Sequence, residues 1–154
     1  MSEIFTIVVR NASVSSTEDI LAAYAASTKK LYFLGAEIAA NGQTTVGNYP
    51  ISVKRISSSV TIGSGGASVT PVNLNPDGAA ASFTARAGDT TQATGTISFL
   101  VASQFNPING YYNQPPVQQT DMPKCDLSGA LVLSLDASPI GTLSVSATLW
   151  VREE

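Results

Sequence analysis

Thr142-Leu143-Ser144-Val145-Ser146-Ala147-Thr148-Leu149-Trp150-Val151 decides the fold class. Leu143, Val145, Ala147, Leu149 and Val151 alternate with Thr142, Ser144, Ser146, Thr148 and Trp150. That alternation is a strand with one face in a core and the other on a largely hydroxylic surface. Just upstream, Ala130-Leu131-Val132-Leu133-Ser134-Leu135-Asp136 is a second long apolar run, and Ala137-Ser138-Pro139-Ile140-Gly141 joins the two.

The rest of the chain repeats this grammar in shorter phrases, with β-branched and aromatic runs punctuated by Gly, Pro, Asn and Ser. Residues 4–9 read as a first strand that stops at Arg10-Asn11. Ser15-Ser16-Thr17-Glu18-Asp19 has the chemistry of a helix cap, which predicts a short helix or turn over 20–24. Residues 30–39 are apolar for most of their length and read as a central strand covered on both faces, before a turn at Asn41-Gly42. Residues 49–56 alternate Ile51, Val53 and Arg55 against Ser52, Lys54 and Ile56, a half-buried pattern. Gly63-Ser64-Gly65-Gly66 and residues 73–78 are loops by residue chemistry. Residues 82–86 and 96–102 read as neighbouring strands of one antiparallel sheet. The expectation is an all-β fold: an antiparallel β-sandwich or jelly roll of about eight to ten strands with at most one short helix, in one domain spanning 1–154.

Residues 103–123 break the grammar and carry four of the eight prolines. They read as an extended loop or arm, and long loops of this kind are functional segments or connectors. Amide and aromatic groups concentrate there, and such groups serve contact surfaces. Phe105, Asn109, Tyr111, Tyr112, Pro115 and Val117 are the candidate protein–protein contact residues. Tyr111, Tyr112 and Trp150 would also suit a sugar ring if exposed beside fixed polar groups.

Composition excludes several functions. The 154 residues include no histidine, so neither a Ser-His-Asp or Cys-His nucleophile pair nor a His-ligated metal site exists within this chain. One cysteine, Cys125, makes no intrachain disulfide and reads as a small buried thiol. Charged residues are only 12% against a usual value of about 25%. Eight Lys and Arg scattered among eleven Asp and Glu, for a net charge of −3, form no phosphate-binding stripe. No apolar run approaches the roughly 20 residues that span a bilayer. The Gly63–Gly66 stretch lacks the Lys-Ser or Lys-Thr of a phosphate cradle. Distant carboxylates such as Asp77, Asp89, Asp121 and Asp126, or an oxygen set of Asn75, Asp77 and Asp89 for calcium, are the remaining chemical constellations. No catalytic residue, cofactor or metal is expected, and the chain reads as a soluble protein made in the cytosol.

Gly63-Ser64-Gly65-Gly66, Thr70-Pro71, Asn73-Leu74-Asn75-Pro76, Ala79-Ala80-Ala81, Phe83-Thr84-Ala85, Thr90-Thr91, Phe105-Asn106, Tyr111 and the closing Leu149-Trp150-Val151-Arg152-Glu153-Glu154 together resemble a family of small proteins encoded in tailed-bacteriophage genomes. Members of that family with an assigned role are virion structural proteins, chiefly capsid cement or decoration proteins of β-sandwich or jelly-roll type. Residues 109–124 depart most from the family pattern. The resemblance implies a structural protein, not an enzyme, made in the host cytoplasm and placed on the capsid surface of the virion. Its implied partners are the major capsid protein and itself, as a homotrimer, with neither nucleic acid nor membrane. A carbohydrate-binding module, or another tail- or head-fibre-associated virion component, is the alternative.

Overall fold

The computed structural model describes residues 2–42, 47–114 and 122–154. It consists of β1 (Glu3–Val14), β2 (Glu18–Tyr24), β3 (Leu31–Ala40), β4 (Tyr49–Ile56), β5 (Ala67–Val69), β6 (Val72–Asn73), β7 (Thr84–Asp89), β8 (Ile97–Phe105), β9 (Tyr111–Asn113), β10 (Lys124–Cys125), β11 (Ala130–Leu135) and β12 (Leu143–Glu153). No helix occurs among the described residues.

All pairings are antiparallel, in two sheets. Sheet A runs β10-β3-β12-β1-β6, with β9 also on the β3 edge; sheet B runs β5-β7-β2-β11-β4-β8. The pairs nest: β1 with β12, β2 with β11, β3 with β10 and β4 with β8. Nesting of this kind, with the chain passing between sheets, is the jelly-roll order. It places the inward residues of both sheets in one core, where Phe5, Ile7, Phe33, Ile38, Leu131, Leu133, Leu149 and Val151 are buried. The alternation read in 143–151 is obeyed residue by residue in β12.

Residues 57–96 are an insertion between β4 and its partner β8. The chain leaves β4 across the outer face of sheet B and adds β5 and β7 to the far edge of that sheet and β6 to the edge of sheet A. It then recrosses the same face to reach β8. The two crossings touch each other at the isolated bridges Thr61 with Thr94 and Ser64 with Thr91, forming a two-stranded belt. Beneath the belt lies a second, smaller apolar cluster of Ala22, Tyr24, Ile56, Ala93, Ala130 and Val132, with Val60 packed against it. The short belt strands, and a sheet A edge divided between β9 and β10, lift the strand number above the expected eight to ten.

Several local expectations are corrected. The predicted helix or turn over 20–24 is strand β2, buried along its whole length, because the belt covers its outer face and the sandwich covers its inner one. Arg10-Asn11 does not end the first strand. It is a bulge, with Asn11 at φ 53, and β1 continues to Val14; asparagine is among the residues that tolerate this left-handed conformation. β3 is covered on one face only, with Tyr32 and Leu34 half-buried on the other. β4 is more buried than expected, with Ser52 and Lys54 enclosed along with Ile51 and Val53. Finally, β7 and β8 share sheet B but are not neighbours: β7 pairs with β2 and β5, whereas β8 pairs with β4 at the opposite edge.

Candidate contact surface

The belt lies over the outer face of sheet B, whereas among the described residues nothing covers the outer face of sheet A. Even-numbered residues near the start of β1 point outward, so Ile4 and Val8 are about two-fifths exposed. On the edge strand β6 and just beyond it, Val72 and Leu74 stand out by more than half their surface. On the other side of β12, Leu34 and Tyr112 complete the row, with Trp150 half-buried between them. Ile4, Leu34, Leu74, Tyr112, Gln114 and Trp150 line one shallow groove of about 290 Å³.

Trp150 is seated by its cross-strand partner. It lies opposite Gly35, at an irregularity in the β3–β12 register. A Cβ at Gly35 would stand 3.4 Å from Trp150 Cε3 and 3.1 Å from the Asn113 carbonyl oxygen. Glycine therefore leaves the indole room to lie low on the sheet. Tyr112 packs edge-on against it, with ring centroids 6.3 Å apart and planes at 74°, a favoured aromatic arrangement. The Tyr112 hydroxyl donates to Gln114 Oε1 at 3.2 Å, leaving an apolar groove with one amide at its rim.

The sequence-derived contact residues separate on this structure. Tyr112 is on the open face and 61% exposed. Asn109 is exposed in the tight turn between β8 and β9, beside Ile108. Tyr111 points to the opposite side of β9, half-buried against the core; burial raises its pKa, opposed by side-chain hydrogen bonds with Ser103 and Asn113. Phe105 is corrected outright: it is completely buried at the end of β8, because the alternation of that strand carries its side chain inward. Pro115 and Val117 lie outside the described residues. The expected arm over 103–123 is thus the end of β8, a turn and β9 as far as Gln114. Ile4, Leu34, Val72 and Leu74 were not singled out by sequence reasoning. They belong to three separate stretches that only the sheet order brings together.

The ionisable groups gather elsewhere, under the belt. Asp19 Oδ2 accepts the Ala93 N–H at 2.7 Å and its Oδ1 accepts the Ser134 hydroxyl at 2.7 Å. Asp89 accepts the Gly66 N–H at 3.0 Å and a forked pair of bonds from Arg86 at 2.8 and 2.7 Å. The Tyr24 hydroxyl accepts the Gly63 N–H at 3.1 Å. The bonds from Ala93, Gly66 and Gly63 tie the belt to the sheet, and the glycine-rich stretch is what allows the approach: a Cβ at Gly66 would sit 2.1 Å from the Ala87 carbonyl oxygen. Beside Asp19, burial pushes the Glu18 carboxyl up to about 7, with repulsion from Asp19 and Asp89 adding to it. Burial also raises Asp19, against its hydrogen bonds from Ala93 and Ser134.

These carboxylates fasten the fold and do not open to a cleft. Asp77 lies in an exposed turn and Asp126 pairs with Lys30 at 3.6 Å. Asp89 is taken up by Arg86 and Gly66 and does not join Asn75 and Asp77, and Asp121 is outside the described residues. Among the described residues no group of three or more acids and cysteines is placed to hold a metal ion. Cys125 is fully buried, and burial lifts its thiol to about 11, so it stays protonated and unreactive at neutral pH.

Comparison with family models, with curated proteins and with solved structures finds no match to this chain.

Proposed function

We propose that this protein is a non-enzymatic virion structural protein of a tailed bacteriophage, which binds the assembled capsid as a cement or decoration protein. The observation that carries the reading is the outer face of sheet A, where Ile4, Val8, Leu34, Val72, Tyr112 and Trp150 are presented on strands, with Leu74 just beyond β6. Scattered exposed apolar residues are ordinary, whereas a contiguous apolar patch marks an interaction site. The aromatic and aliphatic centre of this face has the composition of a protein–protein interface core, and Arg152 beside Ile4 and Glu37 beside Tyr112 form a charged rim.

The sequence resemblance supplies the partner class, a protein shell. Repetition supplies the strength: a shell offers the same docking site many times, so contacts that are weak singly become tight when several are made together. Each contact needs only about 800 Å² per partner to reach the standard class of specific interfaces.

The test is co-sedimentation of the purified protein with shells that lack it, at micromolar concentration. Wild type is expected to pellet with the shells, and Leu74→Asp and Trp150→Ala to stay in the supernatant while keeping the wild-type unfolding transition. Wild-type protein that remains soluble beside such shells overturns the reading. One observation favours a second reading: Tyr112 and Trp150 lie beside the Gln114 amide, as a sugar-binding platform requires. Glycan-array binding that is lost in both Tyr112→Ala and Trp150→Ala would select it.

A further inference from the structure

β8 ends sheet B, and among the described residues no strand pairs with its outer edge. It is nine residues long, Ile97-Ser98-Phe99-Leu100-Val101-Ala102-Ser103-Gln104-Phe105, with neither a charge nor a proline. Edge strands are normally blunted by charges, prolines, bulges or shortness because their free backbone groups invite pairing. This one carries a single irregularity, an extra residue between Val101, opposite Val53, and Phe99, opposite Lys54.

Which backbone groups face outward follows from the neighbouring strand. Pro50 has no N–H, and its carbonyl accepts from Asp136 N at 2.8 Å, so Pro50 faces β11. Its neighbours Tyr49, Ile51 and Val53 therefore face β8, and their partners Phe105, Ser103 and Val101 turn their N–H and C=O groups toward β4. Gln104 and Ala102 turn theirs away. Beyond the irregularity, Ser57 N donates to Thr96 O at 3.0 Å, so Thr96 and Ser98 face inward while Ile97 and Phe99 face outward.

The outward residues are thus Ile97, Phe99, Ala102 and Gln104, and the pairs 97 with 104 and 99 with 102 share one midpoint, between Leu100 and Val101. We infer that β8 is a self-pairing edge. Two copies of the chain join antiparallel about a two-fold axis at that midpoint, with Ile97 opposite the partner's Gln104 and Phe99 opposite the partner's Ala102. The irregularities of the two strands then face each other and cancel, so both ends of the strand stay in register. The side chains also fit. Lys54, the cross-strand neighbour of Phe99, lies over the Phe99 ring at 5.8 Å and bonds Asp136 at 2.8 Å on the outer face of sheet B. Phe99 is 64% exposed on that face, and the partner's Ala102 offers the small residue over which its ring can lie. No like charges meet across the axis, and the two copies of sheet B become one continuous sheet. This pairing uses neither the open face of sheet A nor the shell, and it gives two-fold rather than three-fold self-association.

Sedimentation equilibrium at micromolar concentration tests it. Wild type is expected at twice the 15.9 kDa chain mass. Ala102→Pro removes one outward N–H at a position where an edge strand tolerates proline, and it is expected at the single-chain mass with an unchanged unfolding transition. Phe99→Glu, a surface change, is expected to give the same loss. Hydrogen exchange adds a site-specific readout: the amides of Ile97, Phe99, Ala102 and Gln104 are expected to gain protection together as concentration rises. A wild type that stays at the single-chain mass, a mass of three chains, or a two-chain mass retained by both variants overturns the inference. Shell binding by single-chain Ala102→Pro, read separately, tests the capsid reading alone.

Discussion

Glu18→Gln should make the protein more stable at neutral and alkaline pH, against the usual direction for loss of a buried side chain. Glu18 is 3% exposed and takes the position on β2 before Asp19, which hydrogen-bonds to the belt. Its carboxyl is pushed from the ordinary 4.5 to about 7, first by burial and then by the charges of Asp19 and Asp89. In the unfolded chain it ionises near the ordinary value. Between pH 4.5 and 7 the folded state therefore binds more protons than the unfolded one, and stability falls as pH rises through that window. The contribution is fully present below the unfolded value and is lost by the time pH passes the folded one. The difference amounts to about 3 kcal/mol. Asp19, also raised by burial, tilts stability in the same direction. Urea unfolding of wild type from pH 5 to pH 8 should show a falling midpoint, and Glu18→Gln should flatten most of the slope and exceed wild type at pH 8 by up to about 3 kcal/mol. A wild-type midpoint that is level or rises across this range refutes the reasoning, as does a variant with the wild-type slope.

Three further outcomes follow from the belt and the core. Ser134→Ala removes a hydrogen bond that stabilises ionised Asp19; it should destabilise more at pH 8 than at pH 5, measured by the same urea titrations. Tyr24→Phe leaves the Gly63 N–H without its acceptor and should cost about 1–2 kcal/mol, with faster hydrogen exchange confined to the belt residues. Leu133→Ala, at a completely buried site between the sheets, should cost about 2–5 kcal/mol by denaturant unfolding.

The fold class was legible because one strand, β12, buries a single face and so writes its alternation plainly into 143–151. β2 was not legible as a strand, because both of its faces are covered and alternation disappears. Its Glu18 and Asp19 resemble cap residues until the belt supplies the Ala93 N–H, 74 residues beyond Asp19, which accepts it. The pairing of β7 with β2 rather than β8 was equally hidden, since a crossing belt leaves the same turn chemistry as a hairpin. At the contact surface, Tyr112 and Trp150 were identifiable by residue type. Ile4 and Leu74 were not, because an exposed aliphatic residue in a strand looks like a core residue until the sheet order shows which face it occupies. Phe105 failed for the converse reason: its amide- and proline-rich surroundings suggested a surface loop, yet the alternation of β8 runs on through it into the core.

The two sheets solve the same problem in opposite ways. Each centre carries apolar side chains on the face turned away from the sandwich. On sheet B the chain spends forty residues, 57–96, covering them, and fixes the cover with Asp19, Asp89 and Tyr24. On sheet A the corresponding face, with Trp150 at its centre, is left without a cover among the described residues. The insertion passes close by, since β6 pairs with β1 at Phe5 and Thr6, but it ends there and adds Val72 and Leu74 to the exposed set. The chain roofs one face with its own backbone and extends the exposed apolar area of the other, the surface proposed for contact with another molecule. Its placement on strands, not on a loop, keeps that surface rigid, so association need not be charged with ordering it.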